Sequence, residues 1–375
     1  MKIAVIIRNF KRSAGGAERY CVELTERLAL IHEVHVFSQE YELSQSIFKF
    51  HKIPKYFEKP RFMNQLLFSM LVRKKTLGNF DIIHSHEMIS HANIYTIHVP
   101  CFRSILQNLS GIKKVLHYFN TLLSPRKIAY LWLENQQMRQ CSNKQFIVVS
   151  ELLQRNLNEC YPLVKNIFIA YPAINNKFLK SDISEVNKAF NLRDKFLLPS
   201  SAFILLLVAN NFKKKGLPTT LQSLKILDNK NIFLIVVGDG NQSNVLVPKN
   251  IKSNVFFIGA VNDIDSVYSN VNLLIHPSLS DTFGMSPLEA MSHKIPVIIS
   301  NNEYCGFSEH LDSSEALILD NPKDEFEIAE KINYLYKNPE MRKKIAQNGY
   351  RKSKSINWEK TLEKTLLAYN SSANK

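Results

Sequence analysis

The stretch NLLIHPSLSDTFGMSPLEAMSHKIPVIIS, residues 272–300, contains two short apolar runs separated by a loop and a helix-forming segment. The runs at 273–275 and 297–299 are continuous rather than alternating, which is typical of strands buried on both faces of a parallel sheet. Ser286-Pro287 suits the first turn of a helix that we place at 286–293. The stretch therefore predicts a strand, a crossover helix and a second parallel strand.

The same alternation of apolar runs and helical patterns continues through the chain in two series. A polar, irregular stretch after Pro172 separates the two series. Because 375 residues with 45% hydrophobic content exceed what one core usually holds, we predict two domains, at 1–175 and 176–355. Each is expected to be a doubly wound α/β domain of the Rossmann type, with a cleft between the two. The strands predicted in the first series lie at 2–8, 33–39, 81–86, 94–99, 145–150 and 167–172.

Composition narrows the class of protein. The five cysteines are scattered without a CxxC pair, which argues against a disulfide framework and a structural zinc site and favours a reducing, cytoplasmic location. The apolar run at the amino terminus ends at Arg8, too early for a signal peptide, and no run reaches the length of a spanning helix.

The net charge of +15 is concentrated in the first half of the chain. Residues 1–175 hold 23 Lys and Arg against 12 Asp and Glu. Two segments, 48–75 and 109–133, mix these cations with aromatic and aliphatic residues, which favours contact with an anionic membrane surface. Amphipathic core helices with solvated outer faces are the alternative. No recognition motif accompanies the charge, so nucleic acid is not the expected partner.

Two acids, Asp281 and Glu289, flank the predicted helix start. Gly284 allows a tight turn between them, and the amides of residues 283–286 are expected to face an anion. Asp281 precedes the predicted helix, whereas Glu289 lies about one turn into it. Two acids separated in this way suit hydrogen bonds to two sets of sugar hydroxyls better than a shared proton. A helix cap at Asp281 and a solvated Glu289 remain the alternative.

Two other loops follow predicted strands. Gly15-Gly16 opens the first helix, where free N–H groups favour a diphosphate, although a bare turn would use the same residues. The GxGxxG of nicotinamide sites is absent. Lys213, Lys214 and Lys215 lie between a buried strand and a helix, where one lysine can reach phosphate oxygens. A solvated basic turn is the alternative for this triplet.

Four histidines raise the question of a metal site. His84, His86, His91 and His98 follow or end strands of the first domain, but only Glu87 stands near them at ligand spacing. We therefore predict no metal. His98, at the end of its strand, is the one expected to contact a substrate.

Taken together and in order, these stretches resemble the retaining glycosyltransferases of family four, and within them the lipopolysaccharide core glucosyltransferase I group. The resemblance extends over nearly the whole chain. The segments that carry it are GGAER, IVVSELLQRNL, LLLVANNFKKKGLPTTLQSL, IVVGDG, NVFFIGAV, IHPSLSDTFGMSPLEAMSHKIPVI, CGFSEHL and INWEKTLEKTLLAY. The last of these is similar to the helix, here about 356–375, that in this family crosses back to the first domain.

The resemblance implies a GT-B fold in which the first domain holds the acceptor and the second a nucleotide sugar. By position, Glu289 would bind the ribose hydroxyls, Asp281 the donor sugar and Lys215 the diphosphate. Gly16 would pack against the diphosphate and His98 would lie near the reacting sugar carbon. The implied catalytic residues are His98, Lys215 and Asp281. The implied donor-binding residues are Gly15, Gly16, Asn210, Lys214, Lys215, Asp281, Phe283, Gly284, Met285 and Glu289.

The sequence departs from the family pattern at two places. Ala209 and Asn210 stand where many relatives have Gly-Arg, so Lys213 or Lys214 would have to supply the missing cation. Asp281 replaces a glutamate that is longer by one methylene. Both changes bear on the identity of the donor more than on the reaction class.

The implied reaction is transfer of a hexose with retention of configuration, in which the departing nucleoside diphosphate takes the acceptor's proton. We expect no metal and no other cofactor, with UDP-glucose as the donor. The expected acceptor is a lipid-linked envelope glycan such as lipopolysaccharide core, used at the inner face of the cytoplasmic membrane. A sugar-nucleotide 2-epimerase and a catalytically silent sugar-nucleotide or lipid-binding protein are the alternatives.

Overall fold

The structure is a computed structural model, and the chain forms two compact units. Unit 1 comprises Met1–Pro172 and Trp358–Lys375, and unit 2 comprises Ala173–Asn357. The boundaries expected from the sequence were 1–175 and 176–355, with a final helix at about 356–375. The structure describes residues 1–42, 47–104, 111, 121, 123–139, 144–174, 191–242, 245–261 and 263–373.

Unit 1 is built on a seven-stranded parallel sheet with the strand order β5-β3-β1-β6-β7-β8-β9, and β2 and β4 form a separate two-stranded pair. Its strands are β1 (Lys2–Ile6), β2 (Asn9–Phe10), β3 (Glu33–Ser38), β4 (Glu40–Tyr41), β5 (Lys49–Lys52), β6 (Ile82–Ser85), β7 (Ile94–Ile97), β8 (Gln145–Val148) and β9 (Ile167–Ile169). Its described helices are α1 (Gly16–Ala29), α2 (Arg61–Thr76), α3 (Pro125–Met138), α4 (Glu151–Cys160) and α11 (Trp358–Ala373).

Unit 2 is built on a six-stranded parallel sheet with the order β12-β11-β10-β13-β14-β15. Its strands are β10 (Phe203–Val208), β11 (Ile232–Val237), β12 (Val255–Gly259), β13 (Leu273–His276), β14 (Val297–Ser300) and β15 (Leu317–Leu319). Its described helices are α5 (Leu192–Lys195), α6 (Leu217–Leu227), α7 (Ile264–Tyr268), α8 (Met285–Ser292), α9 (Glu325–Lys337) and α10 (Pro339–Ser355), with 3₁₀ helices at Lys249–Asn254 and Gly306–His310.

In each sheet, successive strands are added first on one side of the strand that begins the unit and then on its other side. In unit 1 the chain moves outward from β1 in both directions, so β1 and β6 flank the switch point, and β10 and β13 do so in unit 2. Ligands of doubly wound sheets bind beyond the carboxyl ends of strands at such a point. The α/β doubly wound class predicted from the sequence is confirmed.

The strands are shorter than the apolar runs that predicted them. β1 ends at Ile6 and β7 at Ile97, whereas strands at 2–8 and 94–99 were predicted. The residues after each strand leave the sheet and form the loops at its carboxyl edge. The basic segment 48–75 is also not uniform, because it contains the edge strand β5 and most of α2. Much of the second basic segment, 109–133, lies outside the described residues.

Helix α11 is fixed to unit 1 by polar contacts as well as by packing. The Tyr369 hydroxyl lies 2.7 Å from Nδ1 of the buried His84, and the Thr361 hydroxyl donates to the Tyr171 carbonyl oxygen at 2.6 Å. The Trp358 ring packs on Tyr20, with 5.4 Å between ring centroids. The last helix therefore belongs to unit 1 although it follows unit 2 in the chain. Within the described residues, no helix combines the length and the apolar character needed to cross a membrane.

The turn before α6 requires a glycine. Gly216 has a φ of +75°, and a Cβ built there would lie 2.0 Å from the carbonyl oxygen of Pro277, in the connection after β13. The loops after β10 and β13 can therefore approach each other only because residue 216 has no side chain.

We expect Gly216→Ala to destabilise the protein more than Gly259→Ala. Gly259 has a similar φ of +72°, but its added Cβ would meet no atom within 4 Å. Gly259→Ala should cost about 1 kcal/mol of unfolding free energy through backbone strain alone, and the clash should add roughly 2 kcal/mol at Gly216. Urea unfolding of both variants measures the difference. Equal losses would contradict the close approach of the two loops.

Candidate functional site

Two loops at the switch point of unit 2 bring Lys215 and Asp281 together. Lys215 follows β10 and Asp281 follows β13, and these two strands are neighbours in the sheet. The Lys215 ammonium donates to Oδ2 of Asp281, and both side chains are mostly buried. Residues that are 66 positions apart in the chain therefore form one ion pair.

A third side chain, His276, completes this cluster. Its Nε2 lies 2.9 Å from Oδ2 of Asp281, and its Nδ1 lies 3.3 Å from the Ser286 hydroxyl. Burial lowers the pKa of His276 more than its bond to Asp281 raises it, so the imidazole is neutral at pH 7. Since a carboxylate can only accept, Nε2–H donates to Asp281 and Nδ1 accepts from Ser286.

The carboxyl group of Asp281 is held ionised. Burial by itself would raise its pKa, but the hydrogen bond from His276 and the charge of Lys215 outweigh that effect and hold the pKa of Asp281 well below its usual range. The cluster of Lys215, Asp281 and His276 thus contains one positive and one negative charge.

The backbone of Asp281 ties the same loop to the residues after β14. Its N–H donates to the Tyr304 carbonyl oxygen at 2.7 Å, and its carbonyl oxygen accepts from the Gly306 N–H at 3.1 Å. Asp281 does not cap helix α8, because the N-cap position is Gly284, which has a φ of 105° and no side chain. The helix-cap alternative for Asp281 is therefore wrong.

Glu289 lies on α8 and is positioned by a buried tyrosine of α7. The Tyr268 hydroxyl donates to Oε2 of Glu289 at 3.1 Å, and the Tyr268 ring stacks on His293 with 5.1 Å between centroids. His293 in turn lies 3.2 Å from Oδ1 of Asp265. Glu289 is half-buried rather than a fully solvated surface residue.

The remaining residues predicted around the donor differ in their exposure. Lys213, Lys214 and Asn210 are exposed. The Asn210 side-chain oxygen accepts from the Asp239 N–H at 3.3 Å, and the Lys214 carbonyl oxygen accepts from the Leu279 N–H at 2.7 Å. Phe283 is buried beside the Phe307 ring, with 5.4 Å between centroids, and Met285 is the first residue of α8.

One group of potential metal ligands occurs among the described residues. Atoms of His276, Asp281 and Cys305 lie within 4.8 Å of one another. The Lys215 ammonium already occupies Oδ2 of Asp281, and the Cys305 thiol donates to the Phe283 carbonyl oxygen at 3.1 Å. A metal ion would therefore have to displace a cation from this cluster.

In unit 1, His98 lines a pocket of about 260 Å³ at the carboxyl end of the sheet. Its Nε2 lies 2.9 Å from Nδ1 of His86, and burial lowers the pKa of His98 to about 3, which leaves the imidazole neutral. His91 lies elsewhere and contacts the Thr76 hydroxyl at 2.9 Å. The four histidines named from the sequence therefore do not form one group.

The glycine pair opens α1 on the same unit. Gly15 is the N-cap residue and Gly16 the first helical residue, and Ala17 lines the pocket that contains His98. A Cβ built at Gly16 would meet no atom within 4 Å, so the packing of the described residues does not require glycine there.

Sequence reasoning missed two residues of this site. His276 ends β13 five residues before Asp281, and that short spacing is the one signal in the sequence that links them. Tyr268, the last residue of α7, is 21 residues from Glu289, and no spacing rule links them.

Comparison with known proteins supplies the family. A model of the family described as Glycosyltransferase Family 4 matches residues 14–178, and one described as Glycosyl transferases group 1 matches residues 189–352. The O-antigen biosynthesis glycosyltransferase WclY of Escherichia coli is 26% identical over 312 residues, which cover 80% of each chain.

Solved structures show the fold. The crystal structure of WaaG, a glycosyltransferase involved in lipopolysaccharide biosynthesis, matches with a TM-score of 0.81 at 18% identity and covers 97% of this chain and 98% of that one. The structure of HepE from Anabaena in complex with UDP and glucose matches with a TM-score of 0.75 at 18% identity, over 99% of this chain and all of the other. The two family models together account for most of both units, and the protein is therefore a group 1 glycosyltransferase with the GT-B fold.

Proposed function

We propose that the protein transfers a hexose from a nucleoside-diphosphate sugar, with retention of configuration, to a lipid-linked glycan of the cell envelope. The observation that carries the proposal is the cluster of Lys215, Asp281 and His276 beside the first turn of α8, at the switch point of unit 2. HepE, which has the same fold, was crystallised with UDP and glucose.

The donor diphosphate meets two kinds of positive group in this proposal. The first N–H groups of α8 have no partner within the helix and favour an anion. The Lys215 ammonium has three N–H donors, so it can bond to a phosphate oxygen while it keeps its bond to Asp281. Because Asp281 offsets much of the charge of Lys215, the exposed Lys213 and Lys214 supply additional attraction.

The acids then orient the rest of the donor. Glu289, held by Tyr268, accepts hydrogen bonds from the ribose hydroxyls, and Asp281 accepts from a hydroxyl of the sugar. His276 keeps Asp281 ionised and fixes its orientation. These assignments involve no metal, since the cations and N–H groups of the protein stabilise the leaving phosphate.

The reaction proceeds at the sugar carbon that bears the diphosphate. The bond from this carbon to the diphosphate oxygen breaks, the acceptor hydroxyl oxygen bonds on the same face, and its proton passes to the departing phosphate. His98 of unit 1, neutral at pH 7, contacts the reacting sugar as a hydrogen-bond partner.

An envelope glycan is supported as the acceptor by the names of two similar proteins. WclY is an O-antigen biosynthesis glycosyltransferase, and WaaG is involved in lipopolysaccharide biosynthesis. Helix α3 of unit 1 supports contact with a membrane surface, because Ile128 and Trp132 lie one turn apart and are 46% and 50% exposed. The exposed Arg126 is close to them in sequence, as in segments that bind anionic headgroups. The proposed location is the inner face of the cytoplasmic membrane.

Lys215→Ala is expected to lower the rate of sugar transfer by roughly a hundredfold, the scale of losing one preorganised donor to a developing charge. Lys225→Ala, which removes an exposed lysine near the carboxyl end of α6, should stay close to the wild-type rate. Steady-state kinetics with UDP-glucose and a lipid-linked acceptor, together with thermal unfolding of each variant, provide the comparison.

Three results would count against the role of Lys215 or against the proposed transfer. A folded Lys215→Ala protein with near wild-type transfer would remove Lys215 from the reaction. Binding of a nucleotide sugar without turnover on any acceptor would favour a silent binding protein, and release of UDP in the absence of acceptor would favour an epimerase.

Gly16→Ala should leave thermal stability unchanged and reduce turnover at least about tenfold. The added methyl meets no described protein atom, but it would occupy the place where the diphosphate approaches the backbone of α1. Thermal unfolding and the kinetic constants for the donor, measured on one preparation, separate the two effects. Unchanged kinetics would show that no ligand approaches Gly16.

Vesicles that contain phosphatidylglycerol should shift the tryptophan emission to shorter wavelength. The chain has two tryptophans, and Trp358 is buried, so the shift should come from Trp132. Trp132→Phe should abolish it, and vesicles of phosphatidylcholine alone should give much less. An unchanged spectrum with anionic vesicles would contradict membrane contact through α3.

A further inference from the structure

The pocket of unit 1 contains a buried carboxyl group, one oxygen of which makes no hydrogen bond to the described residues. Glu134, on α3, is 1% exposed and lines the pocket. Its Oε2 accepts from the Arg103 N–H at 3.1 Å, whereas its Oε1 is buried and has no hydrogen-bond partner among the residues that the structure describes. A buried acceptor without a donor costs free energy of folding, so this oxygen is a candidate contact for a ligand.

The charges around the pocket limit what such a ligand can be. Among the described lining residues, Arg8 is the one Lys or Arg, and its Nε lies 2.9 Å from Oε1 of Glu87, close enough for an ion pair although the two atoms make no hydrogen bond. His86 and His98 are neutral, because burial lowers the pKa of both imidazoles. Glu87 offsets the charge of Arg8, and Glu134 adds a second carboxyl group, so the described lining offers no net positive charge to a phosphate or a carboxylate.

The rest of the lining suits a sugar ring. Ile97, Val99, Pro100 and Met138 present apolar surface, which matches the C–H faces of a pyranose. Nε2 of His86 and Nε of Arg8 are also buried without a hydrogen-bond partner in the described part of the chain. The volume of about 260 Å³ gives room for one monosaccharide unit.

We propose that this pocket binds an uncharged, hydroxyl-bearing monosaccharide unit of the acceptor, and that Glu134 selects it by accepting a hydroxyl hydrogen bond on Oε1. The inference rests on the proposed function in treating the bound sugar as the acceptor. Glu134 is then a specificity-determining residue: it favours neutral sugar units and disfavours phosphorylated or acidic ones, since two negative groups would be forced together in a buried site.

The surroundings of Glu134 add a pH dependence. Burial raises the pKa of Glu134 to about 7, against the opposing effects of backbone N–H groups, Cys101 and Arg103. A hydroxyl donor binds better to the ionised carboxylate than to the neutral acid, so affinity for the sugar should rise between pH 6 and pH 8. The titratable or charged side chains that interact with Glu134 are Cys101, Arg103, Cys160 and Tyr161.

The test uses simple sugars as probes of the full-length protein. Saturation-transfer NMR titrations with the methyl glycosides of glucose, galactose, mannose and N-acetylglucosamine give dissociation constants, and glucose 6-phosphate and galactose 6-phosphate are the anionic comparisons. We expect at least one neutral glycoside to bind and the sugar phosphates to bind at least tenfold more weakly.

Variants then locate the site. Glu134→Gln keeps the shape of the side chain and should weaken binding of the glycoside roughly tenfold, the scale of a hydrogen bond to a charged group. Glu134→Gln should also flatten the rise in affinity between pH 6 and pH 8. Glu363→Gln, which removes an exposed acid on α11, should change neither. The wild-type pH series needs no variant and remains informative if Glu134→Gln does not fold.

Three outcomes would overturn the inference: no binding of any neutral glycoside, tighter binding of the sugar phosphates, or identical affinity and pH dependence in Glu134→Gln and the wild type. Thermal stabilisation by UDP, measured on the same samples, tests the donor site separately. Stabilisation by UDP without glycoside binding would reject this inference and leave the proposed function standing. Glycoside binding without stabilisation by UDP would count against the proposed function and leave the sugar site standing, without its assignment to the acceptor.

Discussion

The charge of the Asp281 carboxylate is the constraint on which the site in unit 2 depends. A buried carboxylate is tolerated only with polar or charged partners. Its partners are Lys215, in the connection after β10, and His276, at the end of β13. The backbone of Asp281 adds bonds to the residues after β14. The side chain and backbone of Asp281 thus connect the loops after β10, β13 and β14. The turn at Gly216 lets the loops after β10 and β13 approach each other.

The two units use the same sheet topology for sites of opposite electrostatic character. In unit 2, an ammonium group, the first turn of α8 and exposed lysines gather where a diphosphate would lie. In unit 1, the described cation of the pocket is paired and an unpaired carboxylate oxygen is buried. This difference is what a transferase needs if one unit binds an anionic donor and the other a neutral part of the acceptor.

Most of the fold could be predicted from the sequence, because continuous apolar runs that alternate with helical patterns specify parallel strands and crossovers. The edge strand β5 could not be predicted, because its residues are mostly polar or charged and lie within a segment that was interpreted as a basic surface. Asp281 and Lys215 were identified through loop position and family resemblance, but their direct contact was not, because it depends on register between β10 and β13. Glu134 had no signal at all, since only the fold buries one of its oxygens.

The central claim is that the cluster of Lys215, Asp281 and His276 and the first turn of α8 bind the donor diphosphate. A crystal structure of the protein with UDP tests it most directly. The account predicts phosphate oxygens within hydrogen-bond distance of the Lys215 ammonium and of the first N–H groups of α8, with Glu289 at the ribose. A nucleotide bound elsewhere, with Lys215 still bonded to Asp281 alone, would contradict the account.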